Sequence, residues 1–173
     1  MTKGLFAIHT GKGKGKTTAA LGLVFRALGH GHKVSVVQFI KGGWRCGEHK
    51  LAGKFPELLD LHVTGQGFTW KSEDLSKDTA LAREAWQLAV EIIKKGDSRL
   101  VILDELTYLI RYNMVPEEEI LTAIKSRPEG MHIVLTGRYA SDNLIEAADL
   151  VTEMQEIKHP YTSGIPAQKG FDF

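Results

Sequence analysis

Residues 10–18 read Thr-Gly-Lys-Gly-Lys-Gly-Lys-Thr-Thr, between the apolar run Leu5-Phe6-Ala7-Ile8 and a second one, Ala19-Ala20-Leu21-Gly22-Leu23-Val24. A β-rich run, a glycine-rich turn and a helix opening on Lys-Thr are the frame of a phosphate-binding loop. The Walker A template G-x-x-x-x-G-K-[ST], anchored on Gly15-Lys16-Thr17, asks for glycine at position 10. That position holds Thr10, and the first glycine is Gly11. Three readings are open: an ordinary kinase or ATPase loop, a loop that holds its nucleotide differently, or a lysine-rich turn that holds none. The strand before the loop and the apolar helix after it weigh against the last.

Working outward, short β-rich runs alternate with helical patterns, which predicts an α/β domain with a mainly parallel sheet. Strands are expected at 5–10, 34–40, 59–63, 100–103, 132–136 and 150–154. "LVILD" at 100–104 has the two-sided apolar character of a central strand. The spacing predicts helices over 17–28, apolar on nearly every side, expected to be buried and capped by Gly29, and over 79–95, ended by Gly96. A third opens at "VPEEEILTAI", with Pro116 in the first turn and Glu117, Glu118 and Glu119 favourably placed against the helix dipole.

The 173 residues, 43% of them hydrophobic, suffice for one well-buried core, so a single domain over 1–173 is expected. Basic and acidic side chains number 22 and 21, a net charge of +1, which gives no reason to expect nucleic acid or an anionic membrane as partner. Cys46 is the single cysteine, there is no signal-like segment and no run of about 20 apolar residues, so a cytoplasmic protein is expected.

In open α/β sheets ligands bind beyond the carboxyl ends of the strands. Here those ends carry the unusual stretches: "GKGKGKTT", "KGGWRCGEHK", "GQGFTW", "DELTY", "TGRYA" and "KHPYTSG". The opposite turns, "GHGHK", "KKGDSR" and "RPEGM", read as plain connections. Gly11, Gly13 and Gly15 let backbone N–H groups converge on an anion at a helix start. Lys16 would neutralise phosphate oxygens, Lys12 and Lys14 add local charge, Thr18 completes the loop, and the Thr17 hydroxyl would complete a Mg²⁺ shell. The strand ending in Asp104-Glu105 matches a Walker B element, whose acid meets the metal directly or through water. Spacing alone leaves open which of Asp104 and Glu105 does so. Arg26, the sole charge in "AALGLVFRALG", reads equally as a phosphate contact and as a dipole-stabilised arginine at a helix C-terminus. Arg138 leaves a strand on the active rim, where a cation for phosphates is expected.

Aromatics on a glycine-rich loop more often pack down as core plugs, but Phe68 and Trp70 in "GQGFTW", with Trp44 in a neighbouring loop, make three near a phosphate site and suggest a large flat apolar ligand. The histidines do not compose a metal site: Cys46 and His49 have C-x-x-H spacing but no second pair, and His30 and His32 fall at the other end of the sheet.

"GKGKGKTTAALGLVFRALGHG", "VVQFIKGGW", "GFTW", "VILDELTY", "LTGR" and "KHPYTSGIPAQKGFDF" together resemble the ATP:corrinoid adenosyltransferases of the CobA/CobO/BtuR type, collinearly from about Leu5 to the C-terminus. The resemblance implies a P-loop NTPase-like (RecA-like) fold, a six-stranded sheet with helices on both faces. It implies transfer of the 5′-deoxyadenosyl group of ATP to cobalt(I) of a corrinoid, tripolyphosphate leaving, in adenosylcobalamin biosynthesis or salvage. ATP is then reversed in the loop, its γ-phosphate where other P-loop proteins place the α-phosphate. The resemblance further implies Mg²⁺ or Mn²⁺ on Thr17 and Glu105, phosphate contacts from residues 11–18, Arg26 and Arg138, and closure of the corrinoid's lower axial face by Phe68 and Trp70. An electron donor such as a reduced flavoprotein, and a homodimer, are expected partners. Many members cover the site with a segment before the first strand. Only Met1 to Gly4 stand there in this chain, so either a more exposed nucleotide or a different covering segment is implied. The competing readings are a conventional kinase or ATPase, which would release ADP, and a non-catalytic nucleotide- or corrinoid-binding module.

Overall fold

The computed structural model describes residues 3–40, 46–64 and 75–173. Six strands, β1 (Phe6–Thr10), β2 (Val34–Gln38), β3 (Leu59–Val63), β4 (Leu100–Asp104), β5 (His132–Thr136) and β6 (Leu150–Glu153), form one sheet in the order β3-β2-β4-β5-β1-β6. Every pairing is parallel. Parallel strands need crossovers. Helices are α1 (Lys16–Gly29), α2 (Gly47–Ala52), α3 (Leu75–Lys95), α4 (Thr107–Arg111), α5 (Glu117–Lys125) and α6 (Asp142–Ala147).

Period-two alternation divides the core between the two faces of the sheet. In β4, Leu100 and Ile102 pack with Ala20 and Val24 of α1. Val101 and Leu103 point the other way, into the larger cluster with Trp86, Ala89 and Ile93 of α3 and Ile120 and Ile124 of α5. All five β4 residues are buried, as a central parallel strand requires.

The predicted strands all form: 59–63 and 132–136 keep their predicted bounds, and the other four have one end shifted by a residue or two. The third predicted helix begins at Glu117, and Pro116 stands just outside it with an extended ψ of 136°. Two expectations about α1 are corrected. Its buried residues are Lys16, Ala20 and Val24 alone, while Phe25 is 78% exposed, so the helix lies on the sheet and is not enclosed by the protein. Nor does Gly29 cap it: Gly29 is the last helical residue, and the left-handed residue that turns the chain is Gly31 at φ 69°.

Register sets the site. Gln38 of β2 lies beside Asp104 of β4, and His9 of β1 beside Thr136 of β5. The Walker A strand β1 and the Walker B strand β4 are thus separated by β5, and all three end on one rim.

Candidate nucleotide and corrinoid site

After β1 the chain turns through Gly11 at φ 96° and enters α1 through Gly15 at φ 111°. Both lie in the left-handed region that favours glycine. The middle glycine is fixed by packing: a Cβ on Gly13 would stand 2.7 Å from the Gln155 carbonyl. The Gly13 N–H donates to the Met154 carbonyl at 2.7 Å, and the Met154 N–H to that of Thr10 at 2.9 Å. The contracted loop is therefore laid against the chain leaving β6.

Lys16 is buried, its ammonium donating to the carbonyls of Gly11 at 2.9 Å and Gly13 at 2.7 Å. Burial pulls its pKa below the ordinary lysine value. Glu105 and Asp104 oppose that shift, and Arg138 adds to it. These four groups share one electrostatic neighbourhood, which links the "GKT", "DEL" and "TGR" motifs.

Asp104, fully buried, is the hub. Its Oδ1 accepts from the Thr17 hydroxyl at 2.8 Å and the Thr136 hydroxyl at 2.6 Å, and its Oδ2 from Gln38 Nε2 at 3.2 Å. An ionised carboxylate is acceptor-only, and here three donors converge on it. Asp104 thus fixes the Thr17 side chain. Glu105 has φ 63°, an unusual conformation for a residue with a side chain, and its N–H donates to Thr136 Oγ1 at 3.0 Å. That turn places Glu105 in the wall of a cavity of about 380 Å³ beside the loop, with Lys14, Lys16, Thr17 and Thr18. Oxygens of Thr17 and Glu105, braced by Asp104, suit a hard divalent cation.

Residues 170–173 form the facing wall of this cavity. Asp172 pairs with Lys14 and accepts the Gln168 N–H at 2.7 Å, and the Lys14 contact is the larger cause holding its carboxyl below the usual range. Sequence reasoning missed this tail; its Phe-Asp-Phe carries no signal of where it folds. Gln38 was missed too, although a polar residue ending the otherwise apolar "VSVVQ" was a visible clue. It joins Asp104 to α2: its Oε1 lies 2.8 Å from His49 Nε2, while His49 Nδ1 accepts the Cys46 N–H at 3.4 Å. The ligand atoms of Cys46, Glu48 and His49 lie within 4.8 Å of one another. Because both ring nitrogens of His49 are engaged, that cluster is a hydrogen-bonded brace and not a ready metal site.

Lys12 is exposed on the loop. Arg26 is not brought to this group: ten residues along α1 from Lys16, about 15 Å by helix rise, it lines a different cavity. Phe68, Trp70 and Trp44 lie outside the described residues. Arg138 follows Gly137, whose added Cβ would stand 2.1 Å from the Thr107 hydroxyl, so "TGR" and "DELT" pack backbone to side chain.

The sequence pattern of the ATP:corrinoid adenosyltransferase family BtuR/CobO/CobP matches residues 2–173. The chain belongs to this family. It is 46% identical over 171 residues to the corrinoid adenosyltransferase of Pseudomonas aeruginosa, covering 99% of this chain and 84% of that one. With the corrinoid adenosyltransferase of Escherichia coli K12 the identity is 43%, covering 99% and 86%. Among solved structures, the flagellar accessory protein FlaH of Methanocaldococcus jannaschii superposes with a TM-score of 0.58 over 88% of this chain and 72% of that chain. At 12% identity that likeness concerns the fold alone. Among the described residues, no helix is long and apolar enough to cross a membrane.

Proposed function

We propose that this member of the family transfers the 5′-deoxyadenosyl group of ATP to cobalt(I) of a corrinoid, with tripolyphosphate leaving. The observation that carries the reading is the family match over residues 2–173. The shortened loop, with Thr10 where the Walker A template asks for glycine, is the feature that the family resemblance associates with a triphosphate seated in reverse.

Cobalt(I) of the substrate is the nucleophile: its electron pair forms the bond to C5′ as the C5′–O bond breaks, and that bond's electrons leave on tripolyphosphate. No protein base is required. The chain's own task is to hold the triphosphate through Lys16 and the backbone N–H groups of residues 11–18, with Lys12, Lys14 and Arg138 adding positive charge where the leaving group gains negative charge. Thr17 and Glu105 would hold Mg²⁺, which neutralises phosphate charge when bound, and Asp104 orients Thr17. Holding the ribose carbon in line for the metal, and not exposing the γ-phosphorus, is what separates adenosyl from phosphoryl transfer. Phe68 and Trp70 are assigned to the lower axial face, where removing a donor ligand makes cobalt(II) easier to reduce, and Trp44 to the corrinoid's surroundings. A reduced flavoprotein as electron donor, a homodimer and a cytoplasmic setting complete the proposal.

The test is anaerobic incubation with ATP, Mg²⁺ and a chemically reduced corrinoid, following the corrinoid spectrum and the phosphate product. A light-sensitive alkylcobalt product with tripolyphosphate is expected; ADP with an unaltered corrinoid would overturn the proposal. Trp70→Ala is expected to stall turnover from a cobalt(II) start while sparing ATP binding, measured by reduction rate and by nucleotide titration.

A further inference from the structure

A second cavity, about 590 Å³, opens between α1 and the β1–β6 side of the sheet, away from the phosphate loop. Its roof is one helical stripe, Ala19, Leu23 and Ala27, and its floor is Ala7, Leu100, Val134 and Leu150. Its ionisable lining consists of His9, His30, His32, His132, Arg26 and Arg99, and Thr152 adds a hydroxyl. Among the described residues that line it, none is acidic. An apolar trough whose ionisable groups are all basic is selective in chemistry: it accepts hydrophobic surface and negative charge together.

His9 provides an independent observation. It is 8% exposed, it lines this cavity, and neither ring nitrogen has a hydrogen-bond partner. Buried polar side chains nearly always find one, because leaving one unmet is destabilising. Burial holds the His9 pKa below the ordinary imidazole value, so at neutral pH the ring is uncharged and offers one donor and one acceptor.

The two ends of the trough therefore differ. His9 lies next to the end of β1, whereas His30, His32, Arg99 and His132 stand at the amino ends of the strands. The His132 Nδ1 accepts the Leu5 N–H at 3.1 Å, which leaves the proton on Nε2 of the neutral ring. The rings of His30 and His32 stack at 6.1 Å, and Arg26 reaches the same mouth from the last turn of α1. From the level of Leu5 to that of His9 is about 13 Å by strand rise.

We infer that this trough is a binding site for a small organic anion with an apolar body, its anionic group held at the mouth by Arg26, Arg99 and the histidines and a hydrogen-bonding group at its other end meeting His9. The site does not depend on the nucleotide or corrinoid.

The probe is 6-(p-toluidino)naphthalene-2-sulfonate, whose sulfonate and N–H stand at opposite ends of an apolar body, titrated calorimetrically into the full chain with the phosphate loop saturated by tripolyphosphate. One probe per chain is expected, with perturbation of the His9 ring resonances. The uncharged analogue N-(p-tolyl)-2-naphthylamine is expected to bind at least about tenfold more weakly, as loss of a charge-assisted contact predicts. Arg26→Glu should weaken the sulfonate by a similar factor, and Ala27→Trp, which fills the roof, should abolish binding. Equal affinity for the two probes, affinity unmoved by both substitutions, or loss of binding on adding tripolyphosphate would overturn the site. So would a chain that binds no probe and sediments as two copies, since the trough would then be a face between copies.

Discussion

Thr136 shows how much of the site rests on one small side chain. Its hydroxyl donates to Asp104 and accepts from the Glu105 N–H, so it holds the Walker B acid and the strained residue after it at once. Thr136→Val keeps the shape and removes both hydrogen bonds. The expected cost is about 1–3 kcal/mol in urea unfolding, because one donor to a buried carboxylate is lost and a backbone N–H is left unmet. Turnover is expected to fall further than stability alone accounts for, because Thr17 and Glu105 are both positioned through this residue. The check is a comparison of kcat with the unfolding midpoint.

At the scale of elements, the phosphate loop and β6 behave as a unit. Gly13→Ala places a methyl group against the Gln155 and Met154 carbonyls, so the loop must lift off the chain leaving β6. ATP affinity is expected to drop at least about tenfold, the loss of roughly one charge-assisted contact, and the melting temperature to fall as well, because the Gly13–Met154 hydrogen bond is lost. Nucleotide titration and thermal unfolding of the same preparation check it. On the other face, Glu119 of α5 accepts from Arg83 at 2.8 Å and from the buried Trp86 indole at 2.7 Å, both on α3. The Arg83 contact is the main cause holding the Glu119 carboxyl below its usual range. A depressed carboxyl contributes stability above the unfolded value, about 4.3, that is lost as pH falls through the lower folded value. Arg83 and Glu119 are both partly exposed, so the ion pair itself is worth well under 1 kcal/mol. Glu119→Ala is expected to cost about 1–3 kcal/mol through the orphaned indole N–H, Glu119→Gln less, and both should flatten the acid limb of the stability curve. Denaturant midpoints from pH 7 down to pH 3 provide the measurement.

For the whole molecule, the C-terminal tail walls one side of the cavity lined by the phosphate loop, α1, the start of α2 and Glu105. Asp172 occupies Lys14, a cation otherwise available to phosphate. Asp172→Asn is expected to release Lys14 and lower the KM for ATP by about two- to fivefold, the worth of a partly exposed ion pair, with kcat nearly unchanged. An unchanged or raised KM would mean that the tail aids nucleotide binding instead.

The order of elements was legible in the sequence because it rests on local rules. Period-two and period-3.6 burial, glycines where φ is positive and an apolar strand ending in two acids each act within a few residues. So do Gly15-Lys16-Thr17 at the start of α1 and Asp104-Glu105 at the end of β4. The sheet order was not legible, because it depends on which strands share a face of hydrophobic surface. Nor were the surroundings of the two acids: Thr17, Thr136 and Gln38 converge on Asp104, and Glu105 lines the cavity. Arg26 reads equally in sequence as a phosphate contact and as a dipole-stabilised arginine near a helix C-terminus, and ten residues of helix carry it to another cavity. The turns "GHGHK" and "KKGDSR" looked plain until the sheet brought His30, His32 and Arg99 to one mouth. The sequence by itself determined the elements, the phosphate loop and the family, since those are written in contiguous residues. The tertiary structure alone decided which distant side chains meet, because burial and hydrogen-bond satisfaction are settled between segments far apart in the chain.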